Sequence, residues 1–296
     1  MIGWLGYMAK ILITGSSGFT GKNLYNKLEK TNTVVGISRT PSQTTDISID
    51  ISDYSKILDL PNISPDTIIH CSAFSNVDGC ETDKILAWKS NVVATHNIVK
   101  YAYKTNANVI FTSTDYVYPG ITGGYTEESI PNPCNFYGTT KLISENIIAT
   151  LNKHCILRLT SIFGLDPGGK NFMQQLIDID TKKGKKRIPV DQISNPISIY
   201  DVCDIVERCI NKKITGLYNA TGINSINRLQ FANIIAKELN LSNIKIHQVN
   251  TSELHQNAQR PINNSTISRK LYSKIGFSPH SIKAECKRIR NWLHEN

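Results

Sequence analysis

Tyr137 and Lys141 stand four residues apart in the stretch Asn135-Phe136-Tyr137-Gly138-Thr139-Thr140-Lys141. On a helix that spacing puts both side chains on one face. A phenol with a pKa of about 10 is a poor acid or base at neutral pH, but a neighbouring ammonium favours its phenolate and lowers that pKa. Lys141 is therefore expected to turn Tyr137 into a usable proton donor. Such pairs arise on any amphipathic helix, so their weight depends on what the rest of the chain places beside them.

The elements that must position the pair read as alternating strands and helices. Residues 10–14 (KILIT) form a short β-branched run, followed at once by Gly15-Ser16-Ser17-Gly18-Phe19-Thr20-Gly21 and an amphipathic helix to about residue 30. Glycines at such a strand-to-helix junction permit a tight turn, let backbone N–H groups approach a pyrophosphate, and let helix and strand pack closely. Here the spacing is G-x-x-G-x-x-G. The second strand, residues 33–38, ends at Ser38-Arg39, where an adenosine ribose should lie. A small polar residue beside an arginine there suits a 2′-phosphate, which points to NADPH, with NADH as the alternative. Asp50 and Ile51 close the next extended segment and are placed to meet the adenine.

Residues 66–72 and 108–113 read as further buried parallel strands, with a long helix over 83–104 between them, and residues 155–159 as another. Residues 114–118 lie just past a strand's C-terminal end, the edge at which open α/β sheets bind ligands. Beyond that the pattern loosens into helices at 171–182, 200–211, 227–240 and 281–294, with short strands near 216–220 and 244–249. The expected class is α/β: a Rossmann-type doubly wound parallel sheet with a smaller C-terminal α/β substrate-binding part. Residues 1–165 are expected to form the cofactor domain, with return segments from the C-terminal part, and 166–296 mainly the substrate-binding cap.

At 296 residues and 40% hydrophobic content the chain can bury a sizeable core. No apolar run approaches the ~20 residues of a membrane span, and a cytoplasmic location without membrane association is expected. Residues 1–7 read as a loose extension or an upstream start. The seven cysteines form no C-x-x-C pair and the seven histidines no metal spacing, so reduced thiols and no catalytic metal are expected. The net charge of +9 asks for an acidic partner, and residues 182–187 (KKGKKR) are the densest cluster, read as a solvated basic loop. Without zinc-finger, basic-zipper or aromatic-rich RNA signatures, a phosphorylated small molecule fits better than nucleic acid.

Together, the glycine turn, Ser113-Thr114 and Tyr137-x-x-x-Lys141 resemble the extended short-chain dehydrogenase/reductases. Six blocks, two of them containing these motifs, are similar to the dTDP-4-dehydrorhamnose reductase family: residues 73–81 (AFSNVDGCE), 113–118 (STDYVY), 135–141 (NFYGTTK), Asn171-Phe172, Asp191-Gln192, and Arg260-Pro261 with Asn264-Ser265. The resemblance implies reduction of the 4-keto group of a nucleotide-diphospho-6-deoxysugar by NADPH. In this reading Tyr137 donates the proton, Lys141 also bonds the nicotinamide ribose, and Thr114 holds the carbonyl oxygen. Cofactor contacts fall to Gly15, Ser17, Gly18, Phe19, Thr20, Ser38, Arg39, Asp50, Ile51, Ser72, Ala73, Phe74, Ser75, Thr112, Tyr137 and Lys141. Substrate contacts fall to Val77, Thr114, Asp115, Ser161, Asn171 and Arg260, the last two near the phosphates. The partners implied are a nucleotide-diphosphate sugar and, in an assembly, a second copy of the chain as a homodimer.

Two departures from the family stand out. Gly18-Phe19-Thr20-Gly21 is closer to the turn of sugar-nucleotide epimerases and dehydratases. In the run Arg158-Leu159-Thr160-Ser161-Ile162-Phe163, Ser161 occupies the place of a tryptophan that belongs to the family's sugar site. The alternatives are an epimerase of the same fold and a non-catalytic NADP-binding subunit, since one relative of these reductases is the regulatory partner of methionine adenosyltransferase. A 4,6-dehydratase would need an Asp-Glu pair after the active-site threonine, and here Asp115 is followed by Tyr116.

Overall fold

A computed structural model describes residues 8–58, 60 and 63–295; the N-terminal extension at residues 1–7 lies outside the described residues. Seven parallel strands form the central sheet: β1 (Lys10–Thr14), β2 (Thr33–Ser38), β3 (Ile47–Ser48), β4 (Thr67–His70), β5 (Asn108–Thr114), β6 (His154–Leu159) and β7 (Gly216–Asn219). Their order is β7-β6-β5-β4-β1-β2-β3. Helices cover both faces, which is why strands such as β4 are buried at every residue and read as continuous apolar runs instead of alternating ones. The chain winds from β1 outward to β3, then crosses back to β4 on the other side of β1. That reversal opens a crevice at the C-terminal ends of β1 and β4, where this class of sheet takes its ligands.

One apolar layer joins the sheet to Leu24 and Leu28 of helix Phe19–Leu28 and to Val202, Ile205 and Val206 of helix Ile199–Asn211. The opposite layer holds Ile98, Tyr101 and Ala102 of helix Ala94–Thr105. A third cluster packs Phe163, Phe172, Leu176, Phe231, Ile235 and Ile289 beyond the sheet. It binds helices Phe172–Thr181, Arg228–Glu238 and Ile282–Glu295 to a parallel ribbon of Lys185–Pro189 and Lys245–Val249. The fold class is as the sequence implied.

Two elements differ from the sequence reading. The basic cluster is not only a loop: its second half is the strand Lys185–Pro189, in which Lys185 and Arg187 face solvent while Ile188 is buried. Period-two alternation was present there, hidden under the charges. The single helix expected over 83–104 is broken into Lys84–Trp88 and Ala94–Thr105 by a π turn at Lys89–Val93. Within that turn, buried Asn91 donates from Nδ2 to Thr140 Oγ1 (2.9 Å), and its carbonyl accepts from Ser144 Oγ (3.0 Å). The irregular turn thus docks the long helix against the helix that carries Tyr137, as such turns commonly do near functional sites.

Candidate active site

Gly15 turns the chain at φ +72°, and a Cβ there would lie 2.8 Å from the Ser72 backbone. Only glycine serves both constraints. The turn is pinned to the end of β2 by Gly15 N–H donating to Ile37 O (2.7 Å) and by a hydroxyl contact of 2.5 Å between Ser17 and Ser38. Helix Phe19–Leu28 starts from Gly18 with no side-chain cap and no acidic residue in its first turn. Its free N–H groups and positive dipole end therefore face the crevice, with Phe19 and Thr20 as the first two helical residues. A pocket beside the turn is lined by Gly15, Ser38, Arg39, Asp50, Ile51, Ser72 and Ala73. These residues come from four segments, and they fit an adenosine phosphate. Arg39 is exposed and in no ion pair among the described residues, so its guanidinium is free for a phosphate.

Tyr137 lies in the first turn of helix Phe136–Ile148, which Asn135 caps by accepting from Gly138 N–H at 2.8 Å. Gly138 has its own constraint, because a Cβ there would come within 2.3 Å of Tyr116 O. The helix can therefore press Tyr137 against the turn that follows β5, where its ring meets Tyr116 edge-on at 6.2 Å. Burial first, then the charges of Cys80 and Asp115, push the Tyr137 phenol above its ordinary range, while a hydrogen bond with Thr114 pulls the other way. Lys141 follows one turn along the same helix. Its ammonium donates to Thr112 O at 2.8 Å and sits 4.0 Å from the centre of the Phe111 ring. Burial lowers its own pKa to about 8, while the charge of Glu145 pulls the other way. Burial thus favours the protonated phenol at Tyr137.

Behind this pair, Glu145 on the same helix forms a two-pronged ion pair with Arg158 of β6, at 2.7 Å from Nη2 and 3.0 Å from Nε, and accepts from Ser113 Oγ at 2.5 Å. Arg158 Nη1 also donates to Tyr118 Oη (2.9 Å). The network locks the tyrosine helix to β5 and β6. Thr112, beside it, donates from its hydroxyl to His70 O.

Thr114 ends β5. Its hydroxyl accepts from Tyr116 N–H and donates to Asp115 Oδ1, both at 3.2 Å. Asp115 is 3% exposed, accepts from Thr160 Oγ1 at 2.8 Å, and is pushed up to about 6 by burial. Phe74 meets Asn91, which accepts from its N–H at 2.7 Å, and Ser75 and Val77 lead into the short helix Val77–Thr82.

On the far side of the crevice the residues inferred from the sequence divide. Asn171 caps helix Phe172–Thr181 through Oδ1, and its buried Nδ2 has no acceptor. Arg260 is already engaged: Nη2 pairs with Asp78 at 2.6 Å and Nη1 donates to Ala258 O. Ser161, at φ +22°, receives a hydrogen bond of 3.3 Å from Arg228 Nη1. Arg228 is a residue the sequence reading missed. It opens helix Arg228–Glu238, lies 4.1 Å over the Phe172 ring, and feels the charges of Tyr116, Arg260 and Asp115. No local motif marks it, because its neighbours come from four distant segments.

A doubly wound sheet with a glycine turn, a ribose-side arginine and a Tyr-x-x-x-Lys helix at the C-terminal edge defines a nucleotide-cofactor protein of the short-chain dehydrogenase/reductase type. More narrowly, residues 9–294 match the RmlD substrate binding domain family, and the chain belongs to it. It is 28% identical over 298 residues to a dTDP-4-dehydrorhamnose reductase of Aggregatibacter actinomycetemcomitans, covering 96% of this chain and 99% of that protein. It is 27% identical over 266 residues to the methionine adenosyltransferase 2 subunit beta of Rattus norvegicus, covering 86% of this chain and 79% of that one. Among solved structures it resembles a Bacillus anthracis dTDP-4-dehydrorhamnose reductase in complex with NADP, with a TM-score of 0.88, 26% identity, and coverage of 98% and 100%. Among the described residues no helix is long and apolar enough to cross a membrane.

Proposed function

We propose that this protein is an NADPH-dependent reductase of the 4-keto group of a 6-deoxysugar carried on a nucleoside diphosphate, acting in the cytoplasm. The observation that carries the reading is the meeting of Tyr137 and Thr114 at the end of β5, across the crevice from the glycine turn and Arg39. The bound cofactor supplies hydride. Tyr137 supplies the proton that the carbonyl oxygen needs as it becomes a hydroxyl, and the Lys141 ammonium on the same helix favours the phenolate left behind against the burial that opposes it. Thr114 steadies that oxygen by donating its one hydroxyl hydrogen, for which the substrate oxygen replaces Asp115 Oδ1, the long contact of 3.2 Å made in its absence. Lys141, nearly enclosed and bonded to Thr112 O, would also bond the nicotinamide ribose, and its burial and fixed ammonium support that reading. Gly15, Ser17, Gly18, Phe19 and Thr20 hold the pyrophosphate, Arg39 the 2′-phosphate, and Asp50, Ile51, Ser72 and Ala73 the adenosine. Residues 166–296 mainly form the substrate side.

The test is incubation of the pure protein with NADPH and a panel of 4-keto nucleotide sugars while absorbance of the reduced cofactor is followed. Oxidation dependent on one of the sugars is expected. NADPH binding without turnover of any of them would favour the regulatory-subunit reading, to which the similarity to the methionine adenosyltransferase subunit lends support.

A further inference from the structure

Arg260 is paired with Asp78, and deeper in the molecule Arg158 is paired with Glu145. Arg228 has no such partner. Among the described residues the only hydrogen bond of its guanidinium goes to the neutral Ser161 hydroxyl (3.3 Å), and the Phe172 ring covers it at 4.1 Å. It opens helix Arg228–Glu238, where the helix dipole disfavours a cation. Desolvation first, then the charge of Arg260, lower its pKa; Tyr116 and Asp115 oppose this, though neither forms an ion pair with it. Lys186 is in a similar condition. It is half-buried and bonds only to the neutral Gln175 Oε1 (2.7 Å), and its pKa is lowered by desolvation and by the charge of Arg228. Asn171, next to Phe172, adds a further donor, because its buried Nδ2 has no acceptor. Two partly desolvated cations without a carboxylate and one orphaned amide cost free energy unless an anion compensates them.

The backbone places this group beside Arg260. Arg228 N–H donates to Gln192 O (2.9 Å), and Ile226 and Asn227 pair antiparallel with Ser194 and Ile193. From the other side, Ile193 N–H donates to Ile262 O (2.7 Å) and Asn264 N–H to Ile193 O (2.9 Å). Residues 192–194 thus lie between the start of the Arg228 helix and the loop that carries Arg260. The chemistry of the ligand then decides what the cations meet. A keto-6-deoxysugar bears hydroxyls, a methyl group and a carbonyl, and the nucleoside is neutral as well. The diphosphate carries the whole charge of such a molecule.

We infer that Arg228, together with Lys186 and Asn171, is the positioning residue that holds the diphosphate of the substrate. A guanidinium reads phosphate oxygens through parallel N–H donors, a charge-assisted contact. Arg260 would have to give up Asp78 to do the same, whereas Arg228 gives up nothing charged. The inference rests on the proposal that a nucleotide sugar occupies this crevice, but it does not depend on reduction of that sugar.

Equilibrium binding to the protein saturated with NADP tests it, with dTDP and dTDP-glucose as one series and UDP and UDP-glucose as another. In whichever series binds, Arg228→Met should weaken the free diphosphate and its sugar equally, by about ten- to a hundredfold, the range of one charge-assisted contact. Arg228→Lys should recover part of the loss, and Lys186→Met should cost less, since that ammonium is already bonded to Gln175. Thermal melts check folding, and Arg228→Gln replaces the methionine variant if that one does not fold. With a 4-keto sugar that is turned over, Arg228→Met should raise KM more than it lowers kcat, because the diphosphate is held alike in ground and transition states. A loss confined to the sugar nucleotides would show that the arginine meets the sugar. That result, an unchanged affinity in Arg228→Met, or binding of neither series by the unmutated protein overturns the inference. The expected loss in a protein that reduces no keto sugar would sink the reductase reading and leave this one standing; unchanged affinity in a protein that does reduce one would do the reverse.

Discussion

Arg158 and Arg228 are two enclosed guanidinium groups, one within the central sheet and one in the C-terminal part, and they are treated in opposite ways. Arg158, 2% exposed within the sheet, meets both oxygens of Glu145 and the Tyr118 hydroxyl. Arg228, in the C-terminal part, meets one serine and an aromatic face. A fully satisfied buried charge stiffens the body around it, whereas an unsatisfied one is a feature that packing alone does not account for. The charge in the sheet is thus matched within the protein, and the one in the C-terminal part is not.

Breaking the sheet-side pair should have the largest effect on stability. Arg158→Met strands Glu145 in the core, and removal of one partner of a buried pair typically costs about 3 to 5 kcal/mol. Denaturant unfolding would register this, and adding Glu145→Leu should recover most of the loss. Next in size is Arg39→Ala, which should weaken NADPH binding by about ten- to a hundredfold and leave NADH nearly unchanged, as measured by fluorescence titration of each cofactor. Equal loss for both cofactors would remove Arg39 from the 2′-phosphate.

The opposite result is expected of Arg228→Met: a stability change within about 0.5 kcal/mol, or a small gain, because no partner is left stranded. A loss comparable to that of Arg158→Met would erase the distinction between the two sides. A further effect is one of pH. Burial raises Asp115 to about 6 in the folded protein, above its unfolded value near 3.9. The native state then binds the extra proton between those values, so the stability Asp115 contributes is present at about pH 4 and is lost as pH rises to about 6. Asp115→Asn should flatten that segment of the stability profile, and an unchanged slope would show that the carboxyl is not protonated there.

The same contrast governs what could be read in the sequence. Gly15, Gly18, Ser38, Arg39, Tyr137 and Lys141 lie in short local patterns whose spacing follows from one turn or one helix, so their places were legible. The fold class was legible for the same reason, through strand runs buried on both faces. The hydrogen bond of Lys141 to Thr112 O was not, because it depends on the depth of β5 beneath the helix. Arg228 was invisible because it gains its meaning from Ser161, Phe172 and Lys186, 42 to 67 positions away. The π turn at Lys89–Val93 leaves no periodic signature either, since one extra residue per turn over so short a span scarcely alters the apolar pattern.

At the centre of the account is Tyr137 as the proton donor, and single-turnover oxidation of bound NADPH by a 4-keto nucleotide sugar tests it most directly. Phenylalanine at that position keeps the ring against Tyr116 and removes only the hydroxyl. General acid catalysis is typically worth 10²- to 10⁴-fold, so Tyr137→Phe should slow the chemical step by about that factor while NADPH binds as before. Oxidation at close to the unmutated rate, with folding intact by thermal melt, would contradict the role assigned to Tyr137.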